Sequence, residues 1–143
     1  MTPAPHPASS VIVRHEGRLL LIKRSNPPSQ DLFAFPGGRG EDGEAPDETA
    51  LRELLEETGL TGKNPRLFAT YDLYPDNDGP DEHHFSLSVF LVDIEGDVTV
   101  AVASSDAKEL GWYTPQDILT LPAPPSVLDC VERLVKASEN AYT

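Results

Sequence analysis

The stretch APDETALRELLEETG, residues 45–59, reads as an α-helix with both ends marked. Pro46 suits the first helical position, where its missing N–H would have no intrahelical acceptor anyway. Asp47 and Glu48 fall in the first turn, where the helix dipole favours anions. Gly59 suits the left-handed residue just past the last turn. The spacing predicts a helix over 46–58. Leu51, Leu54 and Leu55 stand at i, i+3 and i+4 and make one apolar stripe. Glu53, Glu56 and Glu57 repeat that spacing two residues later, about 200° round the helix axis. Three adjacent carboxylates are therefore expected on the face opposite the leucines, pointing away from the core. Like charges at these spacings cost about 0.2–0.5 kcal/mol per pair, and only Arg52 stands near them. A solvated acidic face is one reading. A bound divalent cation is the other, because it removes the repulsion, and an all-oxygen, water-retaining donor set suits Mg²⁺.

The segment before the helix, FPGGRGEDGE, supplies Gly37, Gly38, Gly40 and Gly43. Glycines permit positive φ and close approach of backbone to a ligand. A plain flexible turn is one reading. A place where backbone groups meet phosphate oxygens or metal ions is the other. It is not a P-loop, because no G-K-[ST] follows and the helix bears acids where a P-loop has lysine. Carboxylates at a phosphate site need metal ions between the two.

Net charge sharpens this. The chain has 143 residues, 11 Lys plus Arg against 24 Asp plus Glu, and a formal charge of −13. Such a chain repels nucleic acid polymers and anionic membranes. It would also repel a small anionic substrate unless cations are recruited first. The length suits one domain. The single cysteine, Cys130, excludes an intrachain disulfide and reads as a buried small hydrophobe rather than a nucleophile. No apolar run approaches the roughly 18 residues of a membrane span, and MTPAPHPASS lacks the pattern of a signal peptide. The expected location is the cytoplasm.

Along the chain, residues 1–8 read as a flexible tail and 9–143 as one domain. SSVIVRHEGRLLLIKR reads as a hairpin turning at HEGR, and LFAFP as a short strand. PRLFATYDLY, HHFSLSVFLVDIE and ELGWYT are further strands, with PDNDGPDE a polar loop. PQDILTL and SVLDCVERLVKA show helical signals. Strands mixed with a few helices indicate an α/β or α+β sandwich.

Residues 38–60 resemble the Nudix box, G-x5-E-x7-R-E-U-x-E-E-x-G-U, with U a bulky aliphatic. Gly38, Glu44, Arg52, Glu53, Leu54, Glu56, Glu57, Gly59 and Leu60 fill every fixed position. The opening hairpin, LFAFPGG and the late ELGWYT extend the likeness more loosely. The resemblance implies an α/β/α sandwich with a mixed β-sheet and hydrolysis of a nucleoside diphosphate linked to another moiety. It implies that Glu53, Glu56 and Glu57 are metal ligands for Mg²⁺, with Mn²⁺ able to substitute. Glu57 and Glu53 are the firmest of the three. It implies that Arg52 orients Glu53, that Glu44 is an accessory ligand or belongs to the helix start, and that the Gly37 carbonyl is a further ligand. Members of the family differ in their general base. It is either the glutamate matching Glu53 or an acid of a distal loop, here SSDAKE with Asp106 and Glu109; Asp106 is the candidate carried forward.

Pro75, fifteen residues beyond Leu60, resembles the ADP-ribose pyrophosphatase branch. The acids Asp76, Asp78, Asp81 and Glu82 around it can accept hydrogen bonds from ribose hydroxyls and would oppose a third phosphate. Tyr71, Tyr74 and Phe35 could stack on a purine or be packing. His83 and His84 read as structural, and Trp112 and Tyr113 as packing. The expected partner is a small-molecule nucleotide; a homodimer is left open. The alternatives are a nucleoside triphosphate pyrophosphohydrolase for oxidised nucleotides such as 8-oxo-dGTP, and a non-catalytic nucleotide-binding regulatory module.

Overall fold

The structure, a computed structural model, describes residues 4–25, 31–73 and 84–140. The elements run β1 (His6–Ile12), β2 (Arg14–His15), β3 (Arg18–Arg24), β4 (Phe33–Ala34), β5 (Gly37–Arg39), α1 (Pro46–Thr58), β6 (Thr61–Leu73), β7 (Phe85–Glu95), a 3₁₀ turn (Val98–Val100), β8 (Ala107–Tyr113), α2 (Pro115–Ile118) and α3 (Pro125–Asn140). One sheet has the order β5-β1-β7-β6; in the other, β3 pairs β2, β4 and β8. The first sheet is mixed, because β1 runs parallel to β7 and antiparallel to β5.

Strand alternation explains why two helices are needed. Ile12, Leu19 and Leu21 pack with Val127, Cys130 and Val131 of α3. Their neighbours Val11, Val13 and Leu20 pack with Ala50 and Leu54 of α1. Successive side chains leave opposite faces of a strand. Strands apolar at every position must therefore be covered on both faces. The layers are thus the expected α/β/α sandwich.

The hairpin turn falls where HEGR predicts it. Glu16 (φ 51°) and Gly17 (φ 76°) are both left-handed, as a two-residue turn of matching twist requires. The hairpin is only β2 with β3, however. The chain changes sheets at Val13, and β1 finds its partners in β5 and β7. The expected tail of 1–8 does not hold for its last three residues. His6, Pro7 and Ala8 lie in β1, in register with Phe85, Ser86 and Leu87. Among the described residues, no helix is long and apolar enough to cross a membrane.

Candidate functional site

Helix α1 spans Pro46–Thr58 as predicted, and Gly59 closes it at φ 77° with its N–H donating to the Leu55 carbonyl. The disposition of its faces departs from the simple wheel. Leu54 is fully buried while Leu55 is 53% exposed. Of the carboxylates, only Glu56 is open to solvent, with 46% of its side chain accessible; Glu53 retains 16%. Glu57 is buried at 2%. The helix is covered on a second side by β5, which a helical wheel cannot foresee.

Two glycines make that cover possible. A Cβ on Gly37 would stand 2.3 Å from the Ser9 carbonyl oxygen, and one on Gly38 would stand 2.5 Å from the Glu53 carboxylate carbon. The segment is thus no flexible turn: its first two glycines lie in β5 pressed against β1 and α1. The Gly37 N–H donates to Glu57 Oε1 at 2.7 Å. The structure thus brings the Gly37 amide to Glu57. Gly38→Ala should therefore displace Glu53 and lower turnover by roughly tenfold or more, read as kcat at unchanged melting temperature; wild-type kcat would contradict this placement.

Arg52 organises the remaining acids. Its Nε donates to Glu44 Oε2 at 2.7 Å and its second terminal nitrogen to Glu44 Oε1 at 3.0 Å. The other terminal nitrogen donates to Glu53 Oε1 at 3.0 Å and to both Glu56 oxygens at 3.2 Å. A planar guanidinium can serve several acceptors at once in this way. Arg52 is thus in contact with Glu53, the acid that the resemblance has it orient. Glu44 also accepts from the Thr49 hydroxyl at 2.6 Å and the Glu41 N–H at 3.0 Å. Arg52 first, then these donors, hold its carboxyl down at about 2. Both Glu44 oxygens are thus engaged by donors at the start of α1.

Glu53 and Glu57 are pushed the opposite way. Burial raises the Glu53 carboxyl, with Arg52 opposing and Glu56 and Asp106 adding to the rise. Burial lifts Glu57 to about 8; the Gly37 amide and Arg24 oppose it, while Glu53 and Asp106 reinforce it. Burial, the first cause in both, outweighs the nearby guanidinium charges and leaves both carboxylates favouring the proton. Asp106 is thereby brought into the electrostatic neighbourhood of both. Glu109, the other distal-loop acid, instead pairs with Lys23 at 3.5 Å.

Among the described residues, no three Asp, Glu, His or Cys side chains are gathered so as to hold a metal ion as they stand. Glu53 and Glu56 are turned onto Arg52, and Glu57 onto the Gly37 amide. The donor set nevertheless fits a hard cation. It is all oxygen, and its deepest member is a carboxylate lifted to about 8 beside a half-buried acid, a strain that an added positive charge relieves.

A cavity of about 180 Å³ opens beside this cluster, lined by Ser9, Arg24, Phe35, Gly37, Gly38 and Arg39 among others. Arg39 spans both features: its carbonyl accepts from Arg52 at 2.9 Å, and its guanidinium lies 4.9 Å from the centre of the Phe85 ring. Phe35 lines the cavity but is 4% exposed, so it serves chiefly as core. Tyr71 is committed to α3, its hydroxyl 2.5 Å from Asp129 Oδ2 and 3.3 Å from Cys130 Sγ. Cys130 is buried and free, as expected of a packing residue. Trp112 and Tyr113 pack against the two core clusters. His84 lies 3.2 Å from Asp72. Tyr74, Pro75, Asp76, Asp78, Asp81, Glu82 and His83 lie outside the described residues. Sequence reasoning missed Arg24. It ends β3 some thirty residues before Glu57, and only the pairing of sheets brings its charge to that carboxylate.

An α/β/α sandwich whose glutamate-rich helix is packed against a glycine strand beside a cavity belongs to a recognised class. The NUDIX domain family model matches residues 4–134, and the chain belongs to that family. It is similar to an ADP-ribose pyrophosphatase of Methanocaldococcus jannaschii, 41% identical over 119 residues, covering 82% of this chain and 66% of that protein. It is also similar to a putative 8-oxo-dGTP diphosphatase of Bacillus subtilis, 34% identical over 108 residues, covering 73% of this chain and 63% of the relative. The chain thus spans just under two thirds of these relatives' length. Among solved structures, a MutT NUDIX hydrolase from Burkholderia pseudomallei superposes with a TM-score of 0.78 at 24% identity, covering 91% of this chain and 98% of the other. The NUDIX domain of Shewanella oneidensis NrtR complexed with ADP ribose gives 0.76 at 18% identity, covering 94% and 89%. These two likenesses bear on the fold.

Proposed function

We propose that this protein is a Mg²⁺-dependent pyrophosphohydrolase that cleaves the diphosphate of ADP-ribose or a related nucleoside diphosphate derivative, with Mn²⁺ able to replace Mg²⁺. The observation that carries this is the pair of half-buried Glu53 and buried Glu57, set against the glycine strand β5 at the edge of a cavity. Divalent-metal dependence is general in the family. Glu53, Glu56 and Glu57 would hold the metal. It would supply neutralisation of the diphosphate and acidification of the attacking water. Arg52 keeps Glu53 and Glu56 in place through its fork. Asp106 takes the proton of the attacking water as general base. Water adds to one phosphorus in line, the bridging oxygen leaves with its electron pair, and the products of ADP-ribose are AMP and ribose 5-phosphate. Arg24 places positive charge at the cavity wall, which favours an anionic substrate in a chain of net charge −13. The setting proposed is cytoplasmic.

The name of the archaeal relative supports ADP-ribose, and that of the Bacillus relative supports the second reading, an oxidised nucleoside triphosphate. The test compares kcat/KM for ADP-ribose, sugar nucleotides, dGTP and 8-oxo-dGTP with excess Mg²⁺. ADP-ribose is expected to lead. An advantage of roughly tenfold or more for 8-oxo-dGTP, worth about 1.4 kcal/mol in the transition state, would transfer the assignment to that reading.

A pH effect follows from Glu57. Its folded carboxyl titrates at about 8 against an ordinary 4.5. The folded state therefore holds the proton through that window while the unfolded state has lost it, so stability falls as pH rises between these values. Metal-free protein should melt at lower temperature at pH 8.5 than at pH 5.5, and Glu57→Gln should flatten that part of the slope. An identical slope in both proteins would contradict the burial assigned to Glu57.

A further inference from the structure

We propose that the cavity beside β5 takes the nucleobase of the substrate, stacked on the Arg39–Phe85 pair and read by the Ser10 hydroxyl. This deepens the function proposed above and rests on its reading of the substrate as a nucleotide.

The cavity exists because two rows of the sheet lack bulk. Strand alternation sends Ser10 to the same face of β1 as Ile12, which packs with α3, while Val11 and Val13 face α1. Ser10 is in register with Gly37 on one side and Val89 on the other. Ala8, two residues earlier, lies between Arg39 and Leu87. With no side chain at Gly37 and small ones at Ser10 and Ala8, a hollow remains that Val127 of α3 also lines.

The same strand connects this hollow to the carboxylates. Gly37 and Gly38 both line it. The Gly37 N–H is bonded to Glu57 at 2.7 Å, and Gly38 is pressed against Glu53. A diphosphate at the carboxylates therefore places one of its two substituents within reach of the cavity. The lining decides which. Phe35, Leu87, Val89 and Phe85 give apolar walls. A ribose would bring several hydroxyls there with few partners, at a desolvation cost. A nucleobase buries two flat faces and needs few polar contacts at its edge.

Ser10 supplies such a contact. It is 8% exposed and lines the cavity. Among the described residues its hydroxyl has no hydrogen-bond partner, and no sealed side-chain oxygen or nitrogen lacks one. The hydroxyl therefore opens onto the cavity, where it can donate to or accept from a base edge. Arg39 supplies the stacking face. Its strand and that of Phe85 are separated by β1, so its side chain spans β1, where the small Ala8 leaves room. The guanidinium ends 4.9 Å from the centre of the Phe85 ring, which the His6 ring flanks at 5.6 Å. Among the described residues Arg39 makes no ion pair, in a chain with 24 Asp plus Glu against 11 Lys plus Arg. A guanidinium that takes a ring rather than a carboxylate in such a chain is placed for its plane as well as its charge. Guanidinium planes stack on nucleobases, and the Phe85 ring presets the orientation of this one.

The experiment measures, by calorimetry on the full chain with Mg²⁺, the binding of AMP and of ribose 5-phosphate, which lacks the base. If 8-oxo-dGTP proves the better substrate, the pair becomes 8-oxo-dGMP and deoxyribose 5-phosphate. AMP should bind roughly tenfold or more tighter than ribose 5-phosphate. Arg39→Ala should remove most of that advantage and leave ribose 5-phosphate within about twofold. Its melting temperature should hold, since Arg39 is exposed. Arg39→Lys keeps the charge without the plane and should not restore AMP binding. Ser10→Ala should change the ratio of AMP to IMP affinity by roughly threefold or more, the effect of one hydrogen bond to the base edge. Equal affinities for AMP and ribose 5-phosphate would overturn the subsite. An equal loss of both in Arg39→Ala, or full rescue by Arg39→Lys, would overturn the stacking role. An unchanged AMP to IMP ratio in Ser10→Ala would remove Ser10 as the reader. Base-dependent binding without Mg²⁺-dependent hydrolysis of any nucleotide tested would support this subsite and overturn the proposed activity instead.

Discussion

Replacing Glu57 by glutamine is expected to lower turnover by at least roughly a hundredfold while the protein stays folded. Glutamine has the same shape and keeps a side-chain oxygen, so the Gly37 N–H retains its acceptor at the position where it now meets Oε1 at 2.7 Å. What the substitution removes is the capacity to carry charge. Burial lifts the Glu57 carboxyl to about 8, so the folded protein gives up nothing near neutral pH when the group is made permanently neutral. Stability and activity should therefore separate. Circular dichroism should match the wild type and the melting temperature near neutral pH should be no lower, while kcat collapses. Loss of fold together with activity would mean that Glu57 is needed for packing, and retention of activity would remove it from the proposed metal site.

Leu54→Ala should do the reverse. Leu54 is fully buried among Val11, Val13, Leu20, Phe90 and Val92, and truncating such a leucine costs about 2–5 kcal/mol through lost transfer energy and the cavity left behind. Leu55→Ala is the control. That side chain is 53% exposed, and its truncation should fall within about 0.5 kcal/mol of the wild type. Denaturant unfolding of the two variants checks the assignment. Equal costs would mean that the leucine stripe is buried as a unit, contrary to the structure.

The contrast between these neighbours shows how far the sequence could be read. Helix 46–58 was legible because Pro46, the first-turn acids and Gly59 are local signals that act on adjacent backbone. The Nudix box was legible for the same reason, as fixed spacing along one loop and helix. The burial of Glu57 was not. A helical wheel places it opposite the leucines but cannot tell that β5 covers that side, since the cover depends on Gly37 meeting Ser9 across a strand pair. HEGR announced a turn, yet nothing local says that β1 joins a partner strand near residue 85 in parallel while β2 turns back onto β3. Asp106 could be named as a candidate from its distal loop. The hydrogen bonds that seat this loop on the end of α1, from Ser104 to Glu57 and from Val102 to Thr58, arise only from tertiary packing. The loop around Pro75, on which the substrate branch was read, lies outside the described residues, so the choice of ADP-ribose stands on sequence resemblance.

The central claim, that the carboxylates of α1 act by holding a divalent cation for diphosphate hydrolysis, is tested most directly by following product formation from ADP-ribose as Mg²⁺ is titrated into chelator-treated protein. AMP and ribose 5-phosphate should be absent in excess EDTA and rise saturably with Mg²⁺, and Glu57→Gln should need far more metal or fail to respond. Full turnover in chelator would contradict the account.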